Sequence, residues 1–153
     1  MDTGDALIPH LIVDNCAEAI TFYKKAFGAV EITRAAEPDG HRIVHAEIRI
    51  DGKAVFLCDD FPERWGGKRR TPSALGGTPV TIHRFVEDCD AAIHLAQLAG
   101  AEVTMPPRDM FWGDRYASVK DPFGHSWTFA THVRDLSPEE LAEAARQAIL
   151  MRN

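Results

Sequence analysis

The stretch HLIVDNCAEAITFYKKAFGAV, residues 10–30, is answered further along by HRFVEDCDAAIHLAQLAGAEV, residues 83–103. At an offset of 73 (83 − 10), His10 meets His83, Val13 meets Val86 and Cys16 meets Cys89. Ala19, Ile20 and Ala26 meet Ala92, Ile93 and Ala99, and Asp14 faces Glu87. After a slip of one residue, FGAV answers AGAEV. The two halves also end alike: DGKAVFLC from Asp51 resembles FGHSWTFA from Phe123. Self-similarity at a fixed period means two copies of one supersecondary unit.

Each copy reads as strand, helix, then three strands. Residues 7–13 and 79–86 are short apolar runs bounded by Pro, Asp and Asn, which predicts strands. Residues 16–27 and 89–99 follow acidic or amide capping residues, keep a helical apolar spacing (Ile20, Tyr23, Phe27) and stop at Gly28 and Gly100. Strands are expected at 29–35 and 101–105. Residues 42–50 alternate, with Val44, Ala46, Ile48 and Ile50 on one face and His45, Glu47 and Arg49 on the other. Asp51-Gly52 is a hairpin turn signal, and 53–58 returns. In the second copy, strand 115–120 runs into the DPFG turn at 121–124, and 125–130 returns. A Gly-, Pro- and Arg-rich loop, 61–77, connects the copies. The tail, 137–151, reads as a helix with Ser137 as N-cap, Pro138 first and Glu140 completing a capping box.

Composition sets the bounds. A chain of 153 residues with 45% apolar and 26% charged residues fits one globular domain. A net charge of −6 argues against a nucleic-acid footprint. The short basic run Lys68-Arg69-Arg70 reads as a solvated loop. No apolar stretch approaches the ~18 residues needed to cross a membrane. The N-terminus MDTGDALIPH carries acids where a signal peptide carries basic residues. Cys16, Cys58 and Cys89 have no C-x-x-C spacing, which fits reduced, buried thiols. The expectation is a cytoplasmic protein that binds neither nucleic acid nor membrane.

Two βαβββ modules in tandem, carried by HLIVDNCAEAITFYKKAFGA, HAEIRIDGKAVFLCDD, GGTPVTIHRFVEDCDAA and MFWGDRYASVKDPFGHSWTFATH, resemble the vicinal oxygen chelate superfamily. This is the glyoxalase and bleomycin-resistance fold, and within it the chain looks closest to the PhnB-like group. The resemblance covers residues 8 to 132. It implies an α+β fold in which two tandem modules, 6–60 and 78–132 of a single domain, form a curled mixed-sheet cup around a small-molecule ligand, with a C-terminal helix appended. It also implies a homodimer. Members of the superfamily include lyases, isomerases, dioxygenases and drug-binding proteins, so the fold alone assigns no activity.

Metal-using members place four ligands in the cup, and by resemblance these positions fall on Ile8, Phe56, Thr81 and Thr128. Such side chains do not make a divalent-cation site, so no cofactor is expected. A divalent metal remains an alternative only at a shifted set, His10, Glu47 and His83. Both histidines lie two residues beyond the first-strand positions and therefore on the same strand face. Otherwise His10 and His83 are relics of duplication that hydrogen-bond within the cup or contact the ligand, and both are candidate ligand-binding residues.

On strand 42–50 the fold would turn His45, Glu47 and Arg49 toward the cup. Glu47 is the candidate general base and His45 and Arg49 are candidate ligand contacts. The alternative is a solvated face with an ion pair. In the second copy, FWGDRY at 111–116 leads into the corresponding strand. Tyr116 and Ser118 share the cup face, and Phe111 and Trp112 sit at the rim, where they could stack on a flat or cationic ligand. They could equally plug the gap between modules or form a dimer contact. Arg115 is a further contact candidate, or a partner for Asp114. Trp65 reads as a lid residue. Trp127 and Phe129 read as core, and His125 as local structure beside its turn. Two function classes follow: a metal-free cup that binds a small organic molecule, and a glyoxalase-like lyase or isomerase using the shifted site or Glu47.

Overall fold

The computed structural model describes residues 7–152. Residues 1–6 lie outside the described residues, and with them most of the region read as lacking a signal peptide and the first position of the first module. The chain forms β1 (His10–Val13), α1 (Cys16–Phe27), β2 (Val30–Ala36), β3 (Ile43–Ile50) and β4 (Lys53–Asp59). A short helix α2 (Pro72–Leu75) follows, then β5 (Thr81–Phe85), α3 (Cys89–Ala99), β6 (Glu102–Asp109), β7 (Asp114–Lys120), β8 (Ser126–His132) and α4 (Pro138–Leu150). The strands make two four-stranded mixed sheets of identical topology, β1-β4-β3-β2 and β5-β8-β7-β6. In each, the first strand pairs parallel with the last and the other pairings are antiparallel. The fold is α+β, as the repeat implies.

Local chemistry sets the helix ends. The Asn15 side chain accepts from the Glu18 amide and the Asp88 side chain from the Ala91 amide, each closing the first turn. Gly28 and Gly100 end the two helices with positive φ, 66° and 117°. In α4 both halves of the Ser137–Glu140 capping box form. One cap escapes a sequence reading. Buried Asp59, from the end of β4, accepts from the Cys16 amide at 3.0 Å and the Ile43 amide at 2.7 Å, joining α1 to the sheet.

Helices α1 and α3 lie on one side of their sheets and pack against one another there. That side holds the core: Val13, Ile48 and Leu57 from the first sheet, Val119, Trp127 and Phe129 from the second, and Ile20, Tyr23 and Ile93 from the helices, all buried. Burying each such aliphatic side chain stabilises the fold by about 1.5–3 kcal/mol. Trp127 and Phe129 are core residues, as the alternation around them predicts. Phe27 of α1 sits 4.7 Å from the Trp127 ring, so the two modules share one aromatic cluster. The three cysteines are free and buried, and burial pushes the Cys16 thiol up to about 12.

The structure departs from the sequence reading at several points. The first strand starts at His10 instead of 7, just after Pro9, which lacks a ladder donor. The strand expected to end at 105 runs to Asp109 through Pro106 and Pro107. It can do so because β6 is an edge strand, where proline is tolerated. The connecting segment is not a bare loop: Pro62–Arg64 forms a 3-10 turn, and Thr71 caps α2 with Pro72 at its first position. His125 does more than support its turn, since its Nε2 lies 2.9 Å from the Ile12 carbonyl oxygen and ties the modules together.

Candidate ligand-binding site

The residues that alternate away from the helices give each sheet an open face. On the first sheet these are His10, Phe56 and Cys58 with His45, Glu47 and Arg49. Pairing sets His10 beside Phe56 and Phe56 beside Glu47 in one row. The His10 ring meets the His45 and Phe56 rings edge-on at 6.1 and 6.0 Å, and His45 lies 4.7 Å from Phe56. Arg49 donates to Glu47 Oε1 at 3.1 Å and to the Gly52 carbonyl at 3.0 Å. Burial of the His10 ring, then the charges of His45 and Arg70, hold its pKa below the ordinary value. His10 is therefore neutral at pH 7 and can accept as well as donate a hydrogen bond.

On the second sheet, Thr128 sits between His83 and Ser118. His83 Nδ1 lies 2.7 Å from Thr128 Oγ1, and its ring is stacked over Tyr116 at 6.0 Å, 19° from parallel. Trp112 meets Tyr116 edge-on at 5.6 Å and Phe111 at 5.0 Å. The aromatic turn is held from outside. Trp112 Nε1 donates to Asp114 Oδ2 at 3.1 Å, and the amides of Val133 and Arg134 donate to the Gly113 carbonyl at 3.0 and 3.1 Å. Asp114 also lies 2.9 Å from His132 Nδ1. Asp114 and Asp135 together raise the His132 pKa.

Arg115 stands apart from the other expected contacts. It alternates with Tyr116 onto the helix side and binds Asp90, in the first turn of α3, at 2.5 Å and Asp109 at 3.1 Å. It pairs with neither Asp114 nor the open face.

Between the edge strands β1 and β5 lies a cavity of about 550 Å³ whose lining includes Ile8, His10, Leu11, Thr81, His83 and Ser126. It brings the two repeat-related histidines to one space, within the size range of small-molecule sites. A second groove, about 310 Å³, runs along the open face of the second sheet beside Tyr116, Ser118 and Thr128.

The donor set does not suit the metal of the vicinal oxygen chelate enzymes. Ile8 and Phe56 offer no lone pair, and the Thr128 hydroxyl is engaged by His83. Divalent ions want carboxylates, imidazoles or several carbonyls. Among the described residues no three of His, Cys, Asp and Glu converge to hold an ion, so His10, Glu47 and His83 are not assembled into a shifted ligand set.

The basic run 68–70 is more than a solvated loop. Arg69 pairs with Asp14 at 2.5 Å and approaches Asp60 at 3.8 Å. The Arg70 guanidinium lies 3.7 Å over the Trp65 ring. Nothing in its neighbourhood in sequence reveals that placement.

Comparison with known proteins now fixes the family. The family model of the Glyoxalase/Bleomycin resistance protein/Dioxygenase superfamily matches residues 7–129. The chain belongs to that superfamily. A Mycobacterium tuberculosis superfamily relative, Rv0887c, described as uncharacterized, is 52% identical over 139 residues, 91% of this chain and 81% of that protein. The structure of TioX from Micromonospora superposes on this superfamily member with a TM-score of 0.64 at 27% identity, over 83% of this chain and 98% of TioX. A PhnB protein from Bacillus cereus shares the superfamily fold at 16% identity, with a TM-score of 0.62 over 82% of this chain and 98% of that one. Among the described residues no helix is long and apolar enough to cross a membrane.

Proposed function

We propose that this superfamily member binds a small organic molecule between and along its two open faces, without a divalent metal at the centre. The observation that carries this reading is the cavity between β1 and β5, to which the modules contribute His10 and His83. Next to His10 on one sheet stand the His45 and Phe56 rings, and next to His83 on the other stands Tyr116, with Trp112 against it. Rings of this kind hold a flat ligand by stacking and orient it with a few hydrogen bonds. Glu47 and Arg49 serve to orient the ligand. The alternative, a lyase or isomerase with Glu47 as base, has less support, because Arg49 engages Glu47 Oε1.

A second copy of the chain covers the open faces in this reading. Apolar side chains left in water support it: Phe85 on β5 is 66% exposed and Val30 on β2 is 59% exposed. The acidic charge and three reduced thiols fit a cytoplasmic setting.

The test is metal content by mass spectrometry of protein purified without chelator, beside the His10→Ala/His83→Ala double variant. The expected result is well under one equivalent of Ni, Zn, Mn or Fe per chain in both. One equivalent in the wild type, lost in the double variant, would overturn the reading and make metal-assisted chemistry the leading function.

A further inference from the structure

Residues 53–59 carry an anomaly. By alternation Ala54 and Cys58 share the open face with Phe56, yet they are 5% and 7% exposed, so both ends of the strand are covered there. Arg70 is close enough for its charge to act on both the Cys58 thiol and the His10 ring. The connecting segment brings Arg70 to the Cys58 end of β4, where its backbone amide bonds Asp60, the residue that follows the strand.

Arg70 is not neutralised there. Its backbone amide donates to Asp60 Oδ2 at 3.0 Å, but its guanidinium makes no ion pair and no hydrogen bond among the described residues. Nε is buried without a partner, and buried Asp60 keeps Oδ1 unpartnered nearby in sequence. Of the other arginines of this region, Arg42 is engaged by Glu37 and Glu63, Arg69 by Asp14 and Arg49 by Glu47, while exposed Arg64 lies over the Phe61 ring. The guanidinium plane rests on Trp65, which fixes its direction without using its N–H groups. A half-buried cation with an unsatisfied donor is unfavourable unless something completes it. A guanidinium fork matches a carboxylate or a phosphate by two parallel hydrogen bonds. Neutral His10, with His45 and the Phe56 ring beside it, supplies further donors and an aromatic wall.

We propose that Arg70, held on Trp65, is the oxyanion anchor of the open face, so that the ligand is an aromatic or similarly flat molecule bearing a carboxylate or phosphate. This rests on the small-molecule reading above and narrows it. It also selects an anionic ligand over the cationic one that Phe111 and Trp112 could stack on.

The test uses a matched series on the full chain: benzoate, phenyl phosphate, neutral benzamide and cationic benzylamine. Affinities and backbone amide shifts are followed by NMR, with the Arg70 Nε–H resonance assigned by its absence in Arg70→Lys. The expected result is that an anion binds about tenfold or more tightly than benzamide, the effect of one charge-assisted hydrogen bond. It moves the Nε–H resonance and loses that advantage in Arg70→Gln. Whichever of benzoate and phenyl phosphate binds more tightly names the acid.

Equal binding of benzoate, phenyl phosphate and benzamide, or an Nε–H resonance that stays still at saturating anion, overturns the anchor. Either leaves the small-molecule site standing if benzamide shifts amides of the open faces. If no compound shifts those amides, both readings fall. The Nε–H measurement is made on the wild type, so a misfolded Arg70→Gln variant does not rescue the proposal.

Discussion

Replacing Asp121 by Ala is expected to lower the unfolding free energy by about 3–5 kcal/mol, the range for removing one member of a buried polar network. Asp121 is 2% exposed and serves four donors. Its Oδ1 accepts from the amides of Phe123 and His125 at 2.9 and 3.0 Å, which shapes the DPFG turn. Its Oδ2 accepts from Trp127 Nε1 at 2.9 Å and from the Tyr23 hydroxyl. Burial, then the charge of Asp121, raise the Tyr23 pKa well above the ordinary value, so its hydroxyl stays a donor throughout the neutral range. Tyr23 belongs to the first module and Asp121 to the second. One carboxylate therefore joins the halves at the base of the shared aromatic cluster. Removing it leaves the Tyr23 and Trp127 donors buried and unpaired. Asp121→Asn keeps the acceptor on one side and should lose less. For a domain of this size the Ala change corresponds to a fall in Tm of about 10 °C or more. Urea unfolding followed by Trp fluorescence measures both variants. A loss under about 1 kcal/mol for the Ala variant, the level of an ordinary exposed pair, would contradict this account of how the modules are joined.

Gly113→Ala is expected to cost about 2–4 kcal/mol and to disturb the aromatic rim. Gly113 has φ +102°, a conformation that side-chain-bearing residues rarely adopt. A Cβ there would be driven into the backbone carbonyl oxygen of Arg134. Relief requires the turn to move away from residues 133–134, and that breaks the amide bonds to the Gly113 carbonyl. Trp112 and its contact with Tyr116 move with it, so Trp emission should change even where the protein remains folded. Gly40→Ala is the control. Gly40 also has positive φ, 75°, but open space where its Cβ would go, so only the backbone strain remains, about 1 kcal/mol. If Gly113→Ala were no more damaging than Gly40→Ala, the close approach to Arg134 would not be what holds the rim.

The fold was legible because each module states it locally and the repeat states it twice. The helix bounds of α1 and α3 follow from caps written in adjacent residues, and the open face of β3 from simple alternation of His45, Glu47 and Arg49 with buried Ala46, Ile48 and Ile50. Strand ends were less legible. The length of β6 depends on its being an edge, which is a property of the sheet and not of the Pro-Pro sequence. Among the site residues, His10, His45, His83 and Tyr116 lie on the open faces where alternation put them, whereas the Arg115 side chain turns to Asp90. Arg70 and Asp59 were missed because each acts on residues distant in sequence, and Arg70 does so from a segment whose own pattern carries no period. A Thr-Pro pair at 71–72, an N-cap followed by a preorganised first residue, was the available sign that this segment was ordered.

The most direct test of the central claim is backbone amide shift mapping of the labelled protein titrated with neutral indole. Saturable shifts are expected, centred on Glu47, Phe56, His83, Tyr116 and Thr128, on the open faces and the cavity between β1 and β5, with the helix-covered side unmoved. Shifts confined to the exposed faces of α1, α3 or α4, or no saturable shift at the open faces, would contradict it.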